Sequence, residues 1–156
     1  MTYDDLDLSQ VRSFPHRSYR LISDLFLLLL TGDRQVFQEF NLTNSQYRVL
    51  TLLDEKQGQR LTVLSDRMLV TRSTITRLID QMEGLGWIKR VDDPEDRRAQ
   101  QVTLTPAGAA LRDNAYAAHE TSLEQRFSQF TEEDQRQLAE LLLALREHLR
   151  IHIEHE

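Results

Sequence analysis

Residues 70–105 read VTRSTITRLIDQMEGLGWIKRVDDPEDRRAQQVTLT, and this stretch decides the fold. Its first part predicts a helix, because apolar side chains recur at the spacing of one helical face, at Ile75, Leu78, Ile79, Met82 and Leu85. Thr71 is a suitable N-cap, and Gly84 and Gly86 predict the end of the helix. Two strand-like segments follow, 87–91 and 100–104. Polar and apolar residues alternate over 101–104, which predicts a half-exposed β-hairpin around an acidic turn.

Helices are predicted on both sides of this stretch. Residues 18–40 predict a long helix. Thr43 and Gln46 form a capping-box pattern that opens a second helix, predicted to end near Gly58, and residues 61–69 predict a short third helix beginning at about Thr62. After the hairpin, Thr105-Pro106 predicts the start of another long helix. The last helix begins at Thr131 and carries a stripe of apolar residues: Leu138, Leu141, Leu142, Leu145, Leu149 and Ile153.

Composition excludes several classes of protein. The chain has 156 residues, 40% of them apolar, which suits one globular domain with a core. It has no cysteine, so disulfides and thiolate metal sites are excluded. No Gly-rich phosphate loop follows a strand, and no Ser, His and carboxylate grouping suggests catalysis, so we expect no enzyme and no cofactor. The longest apolar run, 25–30, is too short to span a bilayer, and the acidic N-terminus lacks a signal-peptide pattern, so we expect a cytoplasmic protein.

Charge is distributed unevenly. The net charge is −6, which argues weakly against a nucleic-acid partner. However, residues 60–104 contain eight basic and seven acidic side chains, whereas the rest of the chain contains eleven and eighteen. The excess acid therefore lies outside the helix and hairpin.

A helix, a short turn, a second helix and a β-hairpin with a charged tip constitute a winged helix-turn-helix. The second helix of such a unit fits the major groove of DNA and directs its first turns at base edges. The polar face of this predicted helix carries Arg72, Ser73, Thr74, Thr76, Arg77, Asp80 and Gln81. Arginine can pair with guanine, and threonine methyl groups can contact thymine. The alternative is an ordinary solvated helix face.

The tip of the hairpin offers a second DNA contact. An arginine at the end of a narrow turn can enter the minor groove, and an adjacent acid can hold its guanidinium in position. Asp96 and Arg98 lie two residues apart and would point the same way on an extended wing. The alternative is a surface ion pair that contributes at most about 1 kcal/mol. Asp92, Asp93 and Glu95 have no role in this hypothesis, beyond shaping the turn with Pro94 or reducing attraction to phosphate.

Residues 64–108 resemble the central region of the MarR-type transcriptional regulators. The motifs S-T-I-T-R-L-I-D-x-M-E-x-x-G, D-P-x-D-R-R-A and V-x-L-T-x-x-G occur in this order and spacing. The resemblance implies a mainly α fold with a small antiparallel β-wing, in one domain spanning 1–156. Residues from about 10–42 and 106–156 would be dimerisation helices, and about 43–105 the DNA-binding lobe. It further implies a homodimeric repressor of a pseudo-palindromic DNA operator that is released by a small phenolic or anionic ligand.

The resemblance also implies roles for individual residues. Residues 73–81 would form the recognition helix, with Ser73, Thr74, Thr76 and Arg77 nearest the bases. Asp96 would orient Arg98 for the minor groove, while Arg97 would face phosphate. An effector pocket is expected on the first two helices, where the candidates are His16, Tyr19, Tyr47 and Arg48. The alternative for these four residues is a role in the core and the dimer interface.

Two histidines near the C-terminus are a weak candidate for a metal site. His148 and His152 lie four residues apart on the last helix and could share a metal ion. The alternative is a polar tail at the edge of the dimer, and we expect no metal. Two functional alternatives to the ligand-responsive repressor stay open: a winged-helix protein-interaction module that does not bind DNA, and a metal-responsive regulator. The polar face of the last helix is acidic, which argues against membrane binding.

Overall fold

Helices dominate the fold, and three short strands accompany them. The structure, a computed structural model, describes residues 13–96 and 99–154, with no side-chain description for 152–154. In chain order the elements are α1 (Phe14–Gln38), α2 (Asn44–Leu52), β1 (Gln59–Arg60), α3 (Leu61–Met68), α4 (Arg72–Gly84), β2 (Ile88–Asp92), β3 (Gln100–Leu104), α5 (Pro106–Phe127) and α6 (Glu132–Glu154). This order confirms the predicted mainly helical fold with an antiparallel β-wing. Two compact units share the chain, and their boundary lies within α5 between His119 and Glu120.

Local sequence signals set most of the helix starts. The predicted capping box at the start of α2 is confirmed, since Thr43 Oγ1 accepts the Gln46 N–H and Gln46 Oε1 accepts the Thr43 N–H. The start of α1 was predicted at Ser18 but lies at Phe14, because Pro15 fits within the first helical turn, where its missing N–H costs nothing. A proline in the first turn of α1 and a capping box at α2 therefore define these two starts better than hydrophobic periodicity does.

The predicted end of α2 near Gly58 is wrong. The helix ends at Leu52, and Leu53 is extended. Asp54 then folds the chain into a turn, because its Oδ1 accepts the backbone N–H groups of Lys56 and Gln57 at 2.7 and 3.2 Å. The Asp54 carbonyl oxygen also accepts the Leu104 N–H at 3.0 Å, which attaches this turn to the sheet.

The centre of the first compact unit, which ends at His119, is formed by α4. Ile75, Ile79 and Met82 have no exposed surface, and they pack in one cluster with Val49 and Leu50 of α2, Leu64 of α3 and Val102 of β3. The predicted apolar face is therefore confirmed, except that Leu85 lies after the helix and is half exposed. Burial of this face sets the rotation of α4 and turns its polar face outward.

The sheet has the strand order β1-β3-β2 and is antiparallel throughout. The hairpin of β2 and β3 was predicted, but β1 was not, since two residues carry no periodic signal and form a strand only by pairing with Val102 and Gln101. The predicted alternation in β3 is also partly wrong. Thr103 is 3% exposed although its neighbours Val102 and Leu104 on the other face are also buried, and its hydroxyl oxygen has no partner within the described residues.

The start of α5 packs very closely on the start of the hairpin. The carbonyl oxygen of Trp87 accepts the N–H of Thr105 at 3.0 Å, and the Thr105 hydroxyl lies within hydrogen-bond distance of the carbonyl oxygens of Gly86 and Trp87, at 2.7 and 3.1 Å. Thr105 Oγ1 also accepts the Gly108 N–H at 3.0 Å, so Thr105 caps α5 as predicted. A Cβ atom on Gly108 would lie 1.9 Å from the Trp87 oxygen. Only glycine fits at this approach of helix to hairpin.

Two helices leave large apolar side chains exposed within their own units. On α1, Leu25 is 54% exposed and Phe26 is 58% exposed. On α6, Leu141 is 71% exposed and Leu149 is 55% exposed. Single exposed leucines are ordinary, but runs of them indicate a surface that a partner covers. None of the described helices combines the length and apolarity needed to cross a lipid bilayer.

The contact at Gly108 predicts a specific loss of stability. We expect Gly108→Ala to destabilise the fold by about 1–3 kcal/mol, because the backbone of Trp87 must move away from the new methyl group. Gly84→Ala is the matched control, since the Cβ there would meet nothing within 4 Å. It should stabilise the helix by up to about 1 kcal/mol. Urea unfolding followed by circular dichroism measures both, and an equal change in the two variants would contradict the close approach.

Candidate nucleic-acid interface

The polar face of α4 is fully presented to solvent. All of the residues that the sequence assigns to DNA contact on this helix are exposed: Arg72, Ser73, Thr74, Thr76, Arg77 and Gln81. Neither Arg72 nor Arg77 has an ion-pair partner in the part of the chain that the structure describes. Two unpaired guanidinium groups on the first turns of an exposed helix are free to bind phosphate or guanine.

Hydroxyl groups near the start of α4 are already ordered by the helix itself. Thr71 Oγ1 accepts the Thr74 N–H at 3.3 Å and lies 3.0 Å from Ser73 Oγ, so the predicted N-cap is confirmed. Thr76 donates its hydroxyl to the Arg72 carbonyl oxygen at 2.8 Å. Its proton is therefore committed, which leaves the oxygen as an acceptor at the surface.

The turn between α3 and α4 contains a leucine in an unusual conformation. Leu69 has φ +55° and ψ +44°, the left-handed region that glycine adopts most easily, and it is 89% exposed. The turn is nevertheless closed at both ends, since the N–H groups of Leu69 and Val70 donate to the carbonyl oxygens of Asp66 and Ser65. The short helix-turn-helix connection is thus fixed without glycine.

A single arginine connects the recognition helix to the wing. Arg90 of β2 binds Asp80 through Nη2 at 2.5 Å and Glu83 through Nη1, and its backbone N–H also donates to Glu83 at 3.1 Å. The pKa of Arg90 is raised above its usual value, chiefly by the hydrogen bond to Asp80, although burial opposes the shift. Asp80 lies on the polar face predicted for DNA contact, but its carboxylate is occupied by this arginine.

The wing turn is organised by Asp93, which is 2% exposed. Its Oδ2 accepts the Arg60 Nε–H at 2.5 Å, and its Oδ1 accepts the backbone N–H groups of Glu95 and Asp96 at 2.9 and 3.2 Å. The hydrogen bond from Arg60 is the largest cause of a strongly lowered pKa for the Asp93 carboxyl. The pKa of the Arg60 guanidinium is correspondingly raised. The pair is therefore fully ionised at neutral pH.

The sequence predicted a different role for another acid of this turn, Asp96. Asp96 is predicted to orient Arg98, and Arg97 is predicted to face phosphate. Arg97 and Arg98 lie outside the described residues, so both of these roles stay predictions. The hydrogen bond from the Ala99 N–H to the Asp96 carbonyl oxygen, at 2.8 Å, joins the residues that flank them. Asp93 was noted only as a possible shaper of the turn, because its partner Arg60 lies 33 residues away in the chain.

The four residues proposed for an effector pocket are not brought together within one chain. Tyr47 is buried and stacks on Phe37, with ring centroids 4.0 Å apart, while His16, Tyr19 and Arg48 are exposed. Phe37 lies 21 residues after His16 on the same helix. At 1.5 Å per residue this is roughly 30 Å. A site containing all four would need a second chain.

A cavity that the sequence did not reveal lies between α1 and the start of α2. It has a volume of about 500 Å³ and is lined by Leu27, Leu30, Thr31, Arg34, Gln38, Leu42, Thr43, Asn44 and Ser45. Asn44 Nδ2 donates to the Leu30 carbonyl oxygen at 3.0 Å and holds the two helices together at this point. Leucine walls and one exposed arginine are suited to a small apolar anion.

The weak metal candidate gains no support from the described residues. His148 is exposed on α6, and the side chain of His152 lies outside the description. No group of three or more potential metal ligands occurs among the residues whose side chains the structure describes, 13–96 and 99–151. His119 lies instead beside Asp33, at 3.0 Å, and its ring contacts Phe37 and Tyr47.

Comparison with known sequences supports the interface. The profile of the MarR family matches residues 42–99, from the end of the α1–α2 loop to the wing. The homoprotocatechuate degradative operon repressor of Escherichia coli is 31% identical over 109 residues, which are 70% of this chain and 74% of that protein. The similarity therefore extends well beyond the helix-turn-helix.

Comparison with solved structures supports the fold. AbsC, a MarR family transcriptional regulator from Streptomyces coelicolor, aligns with a TM-score of 0.76 at 26% identity and covers 85% of this chain and 92% of its own. A mutant MarR from Escherichia coli in complex with operator DNA aligns with a TM-score of 0.74 at 22% identity and covers 81% and 91%. The arrangement of α2–α4 and the hairpin is thus the one found in these regulators.

Proposed function

The chain belongs to the MarR family of DNA-binding transcriptional regulators, which are not enzymes, and we propose that it is a homodimeric repressor released by a small ligand. The observation that carries this proposal is the exposed face of α4 with unpaired Arg72 and Arg77, connected by Arg90 to a charged wing. An exposed arginine-bearing helix beside a hairpin matches both grooves of DNA at once.

DNA binding in this mode uses α4 for the major groove and the wing for the minor groove. Arg77 and the acceptor oxygen of Thr76 face the bases, Arg72 and Arg97 face phosphates, and Arg98 enters the minor groove. Support comes from the operator complex of the structurally similar Escherichia coli protein. The Escherichia coli relative that is 31% identical to this chain is named as an operon repressor, which supports repression rather than activation.

Selection of bound fragments from genomic DNA tests the proposal directly. We expect one shared two-fold motif, bound at about nanomolar to tens of nanomolar and more weakly as salt rises. Arg77→Ala and Arg98→Ala should each weaken binding about tenfold or more. Arg146→Ala is the matched control, since it removes the same charge from α6, where Arg146 is 68% exposed. Equal binding by all three variants would contradict the assigned interface.

Dimerisation explains the exposed leucines of α6. Leu138, Leu141, Leu142, Leu145 and Leu149 share one face of the helix, whereas the opposite face is mostly polar. Covering a leucine side chain contributes about 1.5–3 kcal/mol, so a stripe of this length favours association strongly. The two-fold symmetry of such a dimer would match a two-fold operator.

The stripe predicts which leucine is needed for the dimer. We expect Leu149→Asp to dissociate the dimer, because it places a charge in the stripe that the proposed dimer would bury. Leu143→Asp is the control: Leu143 lies on the opposite face of α6, and it is 50% exposed against 55% for Leu149. Analytical ultracentrifugation over a range of concentrations separates the outcomes, and dissociation by the Leu143 variant alone would refute this arrangement.

The cavity between α1 and α2 is our proposed site for the ligand, which we infer to be a phenolic or other aromatic carboxylate. Its leucine side chains would contact the ring, and Arg34 would pair with the carboxylate. The name of the Escherichia coli relative, which concerns degradation of a phenolic carboxylate, supports this chemical class. The four residues suggested by the sequence remain a second proposal that requires both chains.

A charge-neutral variant at Arg34 tests the ligand proposal. In wild type, a panel of phenolic carboxylates should include members that lower operator affinity about tenfold or more, and Arg34→Gln should respond only at much higher concentrations. DNA affinity without ligand should stay near the wild-type value, since α4 and the wing are unchanged. Fluorescence anisotropy with labelled operator measures both quantities. An unaltered ligand response in Arg34→Gln would exclude this cavity.

A further inference from the structure

The one almost fully buried carboxylate of the wing turn lies at a junction of three chain segments. Asp93 of the turn contacts Arg60 at the N-cap of α3, the backbone of Glu95 and Asp96, and the side chain of Gln101 on β3. Its own N–H donates to the Ala99 carbonyl oxygen at 3.1 Å, which closes the far side of the turn. The two oxygens of this carboxylate therefore have different partners: Oδ2 binds Arg60, and Oδ1 binds the backbone of the turn.

We propose that Asp93 and Arg60 form a positioning pair, which holds the wing turn against the first helix of the helix-turn-helix so that the wing meets DNA in a fixed place. This inference rests on the proposed DNA-binding function. Oδ1 shapes the turn by accepting two backbone N–H groups, and Oδ2 attaches the shaped turn to Arg60. This role is separate from the one predicted for Asp96, which is to orient Arg98.

Burial distinguishes Asp93 from the other acids of the turn. Asp92 and Glu95 are exposed, and an exposed ion pair in this region would be screened by salt. Asp93 is 2% exposed and is held by hydrogen bonds from an arginine, an amide side chain and two backbone groups. Removing Arg60 would leave this buried carboxylate without its charged partner, which is strongly unfavourable.

A direct role for Arg60 in DNA binding is the competing explanation, since its side chain is 43% exposed. The two explanations predict effects of opposite sign for Asp93→Asn. If Arg60 bound phosphate directly, removing the acid that holds it would strengthen DNA binding. If the pair positions the wing, the same change should weaken DNA binding although it makes the protein less negative.

Asp92→Asn provides the matched control. It makes the same change of charge one residue earlier in the same wing, at a side chain that is exposed. Simple electrostatics predicts slightly tighter DNA binding for both variants. The positioning role predicts tighter or unchanged binding for Asp92→Asn and binding at least about tenfold weaker for Asp93→Asn.

The experiment measures the affinity of full-length wild type and variants for the selected operator at several salt concentrations. Besides losing affinity, Asp93→Asn should show a weaker dependence of DNA affinity on salt. The slope should fall by about the amount due to one phosphate contact, because the wing no longer reaches the DNA backbone. Arg60→Gln should behave alike, Arg60→Lys should recover much of the affinity, and the double variant should be no worse than either single variant. Thermal unfolding identifies any loss that follows from unfolding alone.

The outcomes separate the two proposals. Wild type that binds no selected DNA refutes the proposed function and, with it, this inference. Wild type that binds while Asp93→Asn binds as tightly as Asp92→Asn overturns the positioning pair and leaves the function intact. Should Asp93→Asn fail to fold, the comparison of Arg60→Gln with Arg60→Lys decides, and equal affinity of those two variants overturns the pair.

Discussion

Burial of one face of α4 is the constraint on which the rest of the DNA-binding lobe depends. Ile75, Ile79 and Met82 are completely enclosed by side chains from α2, α3 and β3. Because these residues repeat at helical spacing, their burial leaves no freedom in the rotation of the helix. Ser73, Thr76 and Arg77 are directed outward as a consequence, and local hydrogen bonds within the helix then order the hydroxyl groups of Ser73 and Thr76.

The arginines of the lobe divide into two groups by their partners. Arg60 and Arg90 bind carboxylates and connect elements of the lobe to each other. Arg72 and Arg77 have no carboxylate partner among the described residues and remain available to a ligand. Three of the acids near the interface, Asp80, Glu83 and Asp93, thus neutralise the arginines that connect elements of the lobe rather than those that are proposed to face DNA.

Features that depend on neighbouring residues could be predicted from the sequence, and those that depend on distant ones could not. The capping box at Thr43 and the apolar stripe of α4 are local, and both were found. By contrast, β1 exists only because β3 pairs with it, and the anchoring role of Asp93 needs Arg60 from another segment. The cavity beside Arg34 was missed for the same reason, since its walls come from two helices and their loop.

The arginine connections also limit how a ligand can act. Arg90 connects α4 to β2, and Arg60 connects the wing turn to α3, so ion pairs hold both the recognition helix and the wing to the rest of the lobe. A ligand therefore has little opportunity to change the angle between them. In the proposed two-fold dimer, the ligand would instead alter the separation of the two recognition helices, which would have to match one helical repeat of DNA, about 34 Å. A change of a few ångströms in this separation would be enough to put the two recognition helices out of register with the two half-sites, and it would need no rearrangement inside either lobe.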